Sequence, residues 1–222
     1  MPKICIDPGH GGTDSGALLN TRYEKNDTLK MALKVKELLE AQGVTVVLTR
    51  NADKYLTLSD RCSIANKNNV DYFLSIHRNS LNATSKGIEI WVYSKATDAT
   101  TKKAQGILDS LVKVGGTNRG VKKGYTGNPN VDYAINREST MPSALLELLF
   151  ISNPDDNKLF DDHFDEYAEA IAKGLCSAVG VTYKTSSTSA KNTTALEKEN
   201  QQLKQELNAI IKDLQNLITK YS

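Results

Sequence analysis

The chain predicts an α/β fold: a single twisted, largely parallel sheet flanked by helices, followed by a linker and a C-terminal coiled-coil helix. Three observations carry this. Short apolar runs rich in Val, Ile and aromatics alternate with amphipathic helical stretches through residues 3–180. The composition turns to Ser, Thr and Lys after Tyr183. A heptad pattern then runs to the end of the chain. Strands alternating with helices imply βαβ units and a parallel sheet covered on both faces.

In chain order, strands are expected at Lys3–Asp7, Val44–Thr49, Tyr72–His77, Ile88–Tyr93 and Ala144–Phe150. Each is a short apolar run, and most have the β-branched and aromatic residues that fit a pleated surface. Helix is expected over Thr28–Gln42, where Leu29, Ala32, Leu33, Val35, Leu38 and Leu39 share a face and Gly43 supplies a stop. Leu58–Lys67 brings Leu58, Cys62, Ile64 and Ala65 inward, with Thr57 or Ser59 as cap. Ala99–Val114 and Phe164–Val179 show the same helical period. Gly115–Tyr133, rich in glycine, reads as an irregular loop or short hairpin.

The 222 residues suit one domain, 1–183, with an appendage. Residues 184–194 form a polar flexible linker, and 195–222 a coiled-coil helix. One seam reads Leu196, Leu203, Ile210, Leu217 and the other Asn200, Leu207, Leu214, Tyr221. Asn200 then occupies an a position, which favours two strands, while Ile211 and Ile218 widen the apolar face. A homo-oligomer through this helix, with a dimer first, is expected; docking onto the chain's own domain is the other reading.

Hydrophobic residues make up 39% and charged residues 24%, a soluble globular balance, and no apolar run is long enough for a membrane span. The formal charge of +2 resides in the linker, leaving 1–183 neutral, which argues against a nucleic-acid partner. No apolar leader precedes the first strand, so a cytoplasmic product without a signal peptide is expected. Cys5, Cys62 and Cys176 are scattered and unpaired in spacing, as plain core residues would be.

The chemistry-bearing residues lie at strand ends. His10 follows the first strand in Asp7-Pro8-Gly9-His10-Gly11-Gly12, and Glu24 follows fourteen residues later. His77 ends the third strand, and Glu147 interrupts the apolar run 144–150. Ligands of parallel sheets gather at the carboxyl ends of strands, so these residues can meet there. Two histidines and a glutamate suit a catalytic zinc with an open fourth position, and the further glutamate suits proton transfer. Each has a plainer reading. Either histidine alone can be a hydrogen-bonded structural residue, and Glu147 a carboxylate held by Arg61, Arg78 or Arg137. His163 reads as a solvated loop residue or helix cap.

Taken together these segments resemble the zinc-dependent N-acetylmuramoyl-L-alanine amidases of type 3. The resemblance covers about residues 3–180 and rests on the Asp7–Gly12 segment, Glu24, Thr49-Arg50 with Asp53, Leu58, Arg61 and Ala65-Asn66, Ser75-Ile76-His77 with Asn79, and Pro142, Leu145, Glu147, Phe150 and Ser152-Asn153. It implies Zn2+ held by His10, Glu24 and His77, with Glu147 as the catalytic carboxylate. It implies peptidoglycan as substrate, cleaved between muramic acid and L-alanine. Asp7 and Asn79 become candidates to position substrate or to support the ligands, with a structural role open for each. Two positions depart from the pattern: Arg78 stands where a small residue is common, and Leu149 where glycine is common. Arg78 either reaches an anionic substrate group or lies on the surface. A wall enzyme without a signal peptide fits an endolysin or autolysin released by a holin or by mother-cell lysis. A silent wall-binding module and a coiled-coil adaptor are the other two classes, and the intact ligand set argues against both.

Overall fold

The computed structural model describes residues 1–125 and 131–185, so the linker and coiled coil expected at 184–194 and 195–222 lie almost wholly outside the described residues. Residues 1–183 form one compact unit. Its main strands are β1 (Lys3–Pro8), β4 (Thr45–Leu48), β5 (Tyr72–Asn79), β6 (Ile88–Val92), β7 (Asn118–Lys123) and β8 (Ser143–Phe150). They form one sheet in the order β4-β1-β5-β8-β6-β7. Every pairing is parallel except β6 with β8. The sheet is thus largely parallel, with its last two strands reversed. A small hairpin, β2 (Leu18–Leu19) and β3 (Arg22–Tyr23), precedes the first helix.

The helices are α1 (Glu24–Glu40), α2 (Leu58–Lys67), α3 (Asp98–Val112), α4 (Ala134–Arg137), α5 (Pro154–Asp162) and α6 (Phe164–Ala178). Side chains alternate across each strand. Ile4, Ile6, Leu74, Ile76, Ala144, Leu146, Ile88 and Ile90 enter the large core with buried residues of α1, α3 and α6. Cys5 and Phe73 point to the other face, against Cys62 and Ala65 of α2 and Ile135 of α4. Full burial of each large aliphatic or aromatic side chain contributes about 1.5–3 kcal/mol. The three cysteines are free and buried, as small hydrophobes are.

The structure departs from the sequence reading at several points. Helix α1 begins at Glu24, four residues before the apolar stripe suggests, because Glu24 is itself the first helical residue and the stripe starts only one turn in. The glycine-rich stretch 115–133 contains the sixth sheet strand, β7, hidden by its polar residues because it is an edge strand. Helix α5 follows β8 directly, capped by Asn153 with Pro154 in its first turn. By contrast α2 occupies its expected span, and Thr57 with Asp60 closes a reciprocal capping box.

Register across the sheet places the candidate positions. His77 pairs with Glu147, and Glu147 pairs with Glu89 on the reversed β6. These three therefore stand side by side on one face. Beyond His77 the register jumps, with Asn79 opposite Phe150, so β8 has one extra residue there. Leu149 takes φ +63° within this bulge. The left-handed conformation explains why glycine is common at this position in the family pattern, and here a leucine bears the strain.

Candidate active site

A cleft of about 560 Å³ opens on the face that carries His77 and Glu147, lined among others by His10, Glu24, Arg61, Tyr133 and Leu145. His10 sits on the turn after β1 with φ +63°, held from below by two buried arginines. Arg61 Nη1 donates to Pro8 O (2.8 Å) and Nη2 to His10 O (2.7 Å). Arg50 donates from Nε to Pro8 O and from Nη2 to Gly9 O, both 2.9 Å. Three successive carbonyls thus face guanidinium groups, whose planar fork fixes direction as a point charge cannot.

His10, Glu24 and His77 come together, each offering one donor atom within 4.8 Å of the others. Glu24 bridges the two rings: Oε2 lies 3.1 Å from His10 Nε2 and Oε1 3.0 Å from His77 Nδ1. Each oxygen also accepts a backbone N–H, from Ala17 (2.8 Å) and Arg78 (2.9 Å) respectively. Burial opposes the charged form of Glu24, yet its bonds to His10 and His77 hold the carboxyl well below the usual carboxylate range. Burial likewise opposes the His10 imidazolium, and the bonds to Glu24 and Asp14 outweigh it, raising the pKa above the ordinary value.

Two glycines let this cluster close. A Cβ on Gly9 would lie 2.3 Å from His77 Cε1. Gly16 has φ +64°, and a Cβ there would meet Glu24 Oε2 and His10 Cδ2, both at 2.6 Å.

Glu147 is half-buried, and its Oε2 is shielded with no hydrogen-bond partner. The arginines that could have held it are engaged elsewhere: Arg61 with Asp7, Arg78 with Asp27, Arg137 with Glu138. Burial first, then the charges of Glu24 and Glu89, push its carboxyl well above the usual range. This carboxylate thus stands open beside the His10, Glu24 and His77 cluster.

Asp7 is fully buried beneath the cleft. It accepts from Arg61 Nη1 (2.7 Å), Thr49 Oγ1 (2.5 Å) and Ser75 Oγ (2.6 Å), and so steadies Arg61 under His10. Asn79 donates from Nδ2 to Glu89 Oε1 at 3.1 Å. The substrate and surface readings of Arg78 are both corrected. Alternation along β5 turns its side chain to the opposite face from His77, where it is buried. There it bonds Asp27 Oδ2 (2.6 Å) and Asn157 Oδ1 (2.7 Å) and lies over the Phe160 ring. Burial pulls its guanidinium down to about 10. Its link to the ligand cluster is the backbone N–H. His163 caps the junction of α5 and α6, with Glu166 at 3.5 Å.

Two residues escaped the sequence reading. Asp14 Oδ2 lies 2.9 Å from His10 Nδ1, the kind of partner that fixes a ligand's tautomer and orientation. Its signal was a carboxylate four residues after the histidine. Glu89 is a buried carboxylate inside an apolar strand, the same signal that singled out Glu147.

The residues fit a divalent metal. Two imidazoles and an anionic carboxylate converge, Asp14 supports one imidazole, glycines leave room, and an unpartnered carboxylate stands beside them. The family described as N-acetylmuramoyl-L-alanine amidase matches residues 4–177. A sporulation-specific N-acetylmuramoyl-L-alanine amidase of Bacillus subtilis (strain 168) is 36% identical over 193 residues, covering 86% of this chain and 71% of the relative. An endolysin of Bacillus phage SPP1 is 34% identical over 194 residues, covering 85% of this chain and 70% of the relative. The catalytic domain of CwlV, an N-acetylmuramoyl-L-alanine amidase from Bacillus (Paenibacillus) polymyxa var. colistinus, superposes with a TM-score of 0.74 at 34% identity, covering 82% of this chain and all of that domain. Sequence match, fold and relatives agree, and the chain belongs to the N-acetylmuramoyl-L-alanine amidase family.

Proposed function

We propose that residues 1–183 hydrolyse the amide between the lactyl group of N-acetylmuramic acid and the L-alanine of the peptidoglycan stem peptide, with zinc held by His10, Glu24 and His77. The observation that supports this most is the shielded, unpartnered Oε2 of Glu147 beside the two-histidine, one-carboxylate cluster. When bound, zinc would polarise the target carbonyl and acidify a water. Glu147 takes a proton from a water on its free carboxylate as the water oxygen adds to the lactyl carbonyl carbon. The C–N bond then breaks, and Glu147 passes the same proton to the departing nitrogen. The products are the lactyl carboxylic acid, whose remaining proton passes to the released α-amine of alanine or to solvent, and Glu147 is regenerated as the carboxylate. An environment that raises the Glu147 pKa suits a group that must hold a proton between these steps. Glu24, held ionised, stays a ligand, and Asp14 keeps the His10 ring oriented.

The relatives include a sporulation-specific amidase and a phage endolysin, which supports action on the wall after release from the cell. Among the described residues no helix is long and apolar enough to cross a membrane. The test is Glu147→Gln. Zinc should remain near one equivalent while turnover falls about 10²- to 10⁴-fold, the range for a lost general acid–base. Digested sacculi should show new alanine amino termini with the parent chain only. Loss of zinc in the variant would make Glu147 a ligand, and near-normal turnover would make it structural.

A further inference from the structure

We infer that Glu89 is a positioning residue: it captures Arg119 and Lys122 of the edge strand and so keeps both cations off Glu147. The inference rests on the reading of Glu147 as the proton carrier.

Glu89 and Glu147 are direct cross-strand partners on the same sheet face. Their bonding is opposite. Glu89 Oε2 accepts from Arg119 Nε (2.6 Å) and Lys122 Nζ (2.7 Å). Its Oε1 accepts from Trp91 Nε1 (3.0 Å) and Asn79 Nδ2 (3.1 Å). Four donors saturate this carboxylate, whereas Oε2 of the neighbouring Glu147 has none.

The cations stand on β7, two strands from Glu147, a span of about 10 Å across the sheet. Both already cross the first of those gaps to reach Glu89. Arg119 leans further: its guanidinium lies 4.9 Å from the ring centroid of Phe150, on the same strand as Glu147. Lys122 lies 5.1 Å from the Trp91 ring centroid. A shielded carboxylate is rarely left without a counter-charge when one is in reach. Glu89 stands between, and it is the nearer acceptor for both. A Glu147 paired with either cation would have its free oxygen filled.

The signal is separable from simple support of the fold. With Glu89→Gln, zinc content and KM on a soluble muramoyl peptide should stay near the parent's, while kcat falls roughly tenfold to a hundredfold, part of the 10²–10⁴ at stake in the proton transfer. Adding Arg119→Met and Lys122→Met should then bring kcat back to within a few-fold, because no cation remains to move. A merely structural Glu89 would show its loss in unfolding stability, measured alongside, with kcat following stability through the series; here kcat is expected to fall and recover independently of stability. Should Glu89→Gln alone fail to fold, it is built directly in the Arg119→Met/Lys122→Met background, where the same recovery is expected. Parent-like kcat in folded Glu89→Gln, or a folded triple variant without recovered kcat, overturns the inference. Glu147→Gln is run in parallel: if it keeps full turnover, the proton-carrier reading has failed, whereas an inactive Glu147→Gln beside an unaffected Glu89→Gln defeats only the role of Glu89.

Discussion

Gly9 gives the most stringent test of how the ligand cluster is built. Its φ is not in the left-handed region, so the backbone alone does not demand glycine there. The space does. A Cβ would sit 2.3 Å from His77 Cε1 and 2.6 Å from both ring nitrogens, where ordinary contact begins near 3.4 Å. The Gly9 backbone is pinned: its N–H donates to Ile76 O (2.9 Å), and its O accepts from Thr28 Oγ1 (2.8 Å) and Arg50 Nη2 (2.9 Å). The His77 ring, at the cleft surface, is the softer side and must retreat by about 1 Å. Metal–ligand distances tolerate only about 0.2 Å, so a shift of that size removes His77 from good coordination. Gly9→Ala should therefore lower zinc affinity about a hundredfold, and turnover should fall with it even at saturating metal. Competition against a chromophoric chelator measures the first, and amine release from a muramoyl peptide the second. Zinc affinity within a factor of about two of the parent would refute the steric reasoning.

At Leu149, relief of the left-handed strain is worth about 1–2 kcal/mol, while loss of a fully buried leucine costs about 3–5 kcal/mol. Leu149→Gly and Leu149→Ala should both be less stable than the parent in urea unfolding, with Gly no worse than Ala, against the usual order; a clearly more stable Ala variant would contradict the bulge geometry. Chelation should abolish wall lysis and zinc should restore it, with the far-UV circular dichroism of the metal-free chain unchanged, because the core of α1, α3, α6 and the sheet contains no ligand. A chain ending at Tyr183 should be monomeric and still cleave soluble muramoyl peptides, whereas the full chain should self-associate; a monomer by light scattering at tens of micromolar would rule out the oligomer reading.

The sequence made the sheet legible because its central strands are buried on both faces and read as apolar runs. Edge strand β7 was missed for the opposite reason: Asn118, Arg119, Lys122 and Lys123 leave no apolar pattern. The convergence of His10, His77 and Glu147 followed from strand direction, since all three stand at carboxyl ends. Which way Arg78 points needed only the two-residue period from His77. Asp7 draws Arg61 from α2 and Ser75 from β5, and Glu89 draws Arg119 and Lys122 from β7, elements far apart in the chain, and spacing carries no trace of these partners. The reversal of β6 was equally invisible, because a strand's direction is set by its connections and not by its residues.

The bulge at Leu149 acts as a joint between two registers. Up to Glu147, β8 is locked residue for residue to β5, which sets the glutamate beside His77. Past the bulge the pairing resumes one step out of phase, at Asn79 and Phe150. Phe150 N–H donates to Asp156 Oδ2 (2.8 Å), tying the second register to α5. The end of the strand that carries Glu147 and the end that anchors the following helix thereby follow separate registers. A one-residue insertion or deletion beyond Leu149 leaves the pairing of Glu147 with His77 in place, whereas the same change before Glu147 turns the glutamate toward the hydrophobic core. The placement of Glu147 is thus insulated from a change of chain length on one side of a single residue and exposed to it on the other.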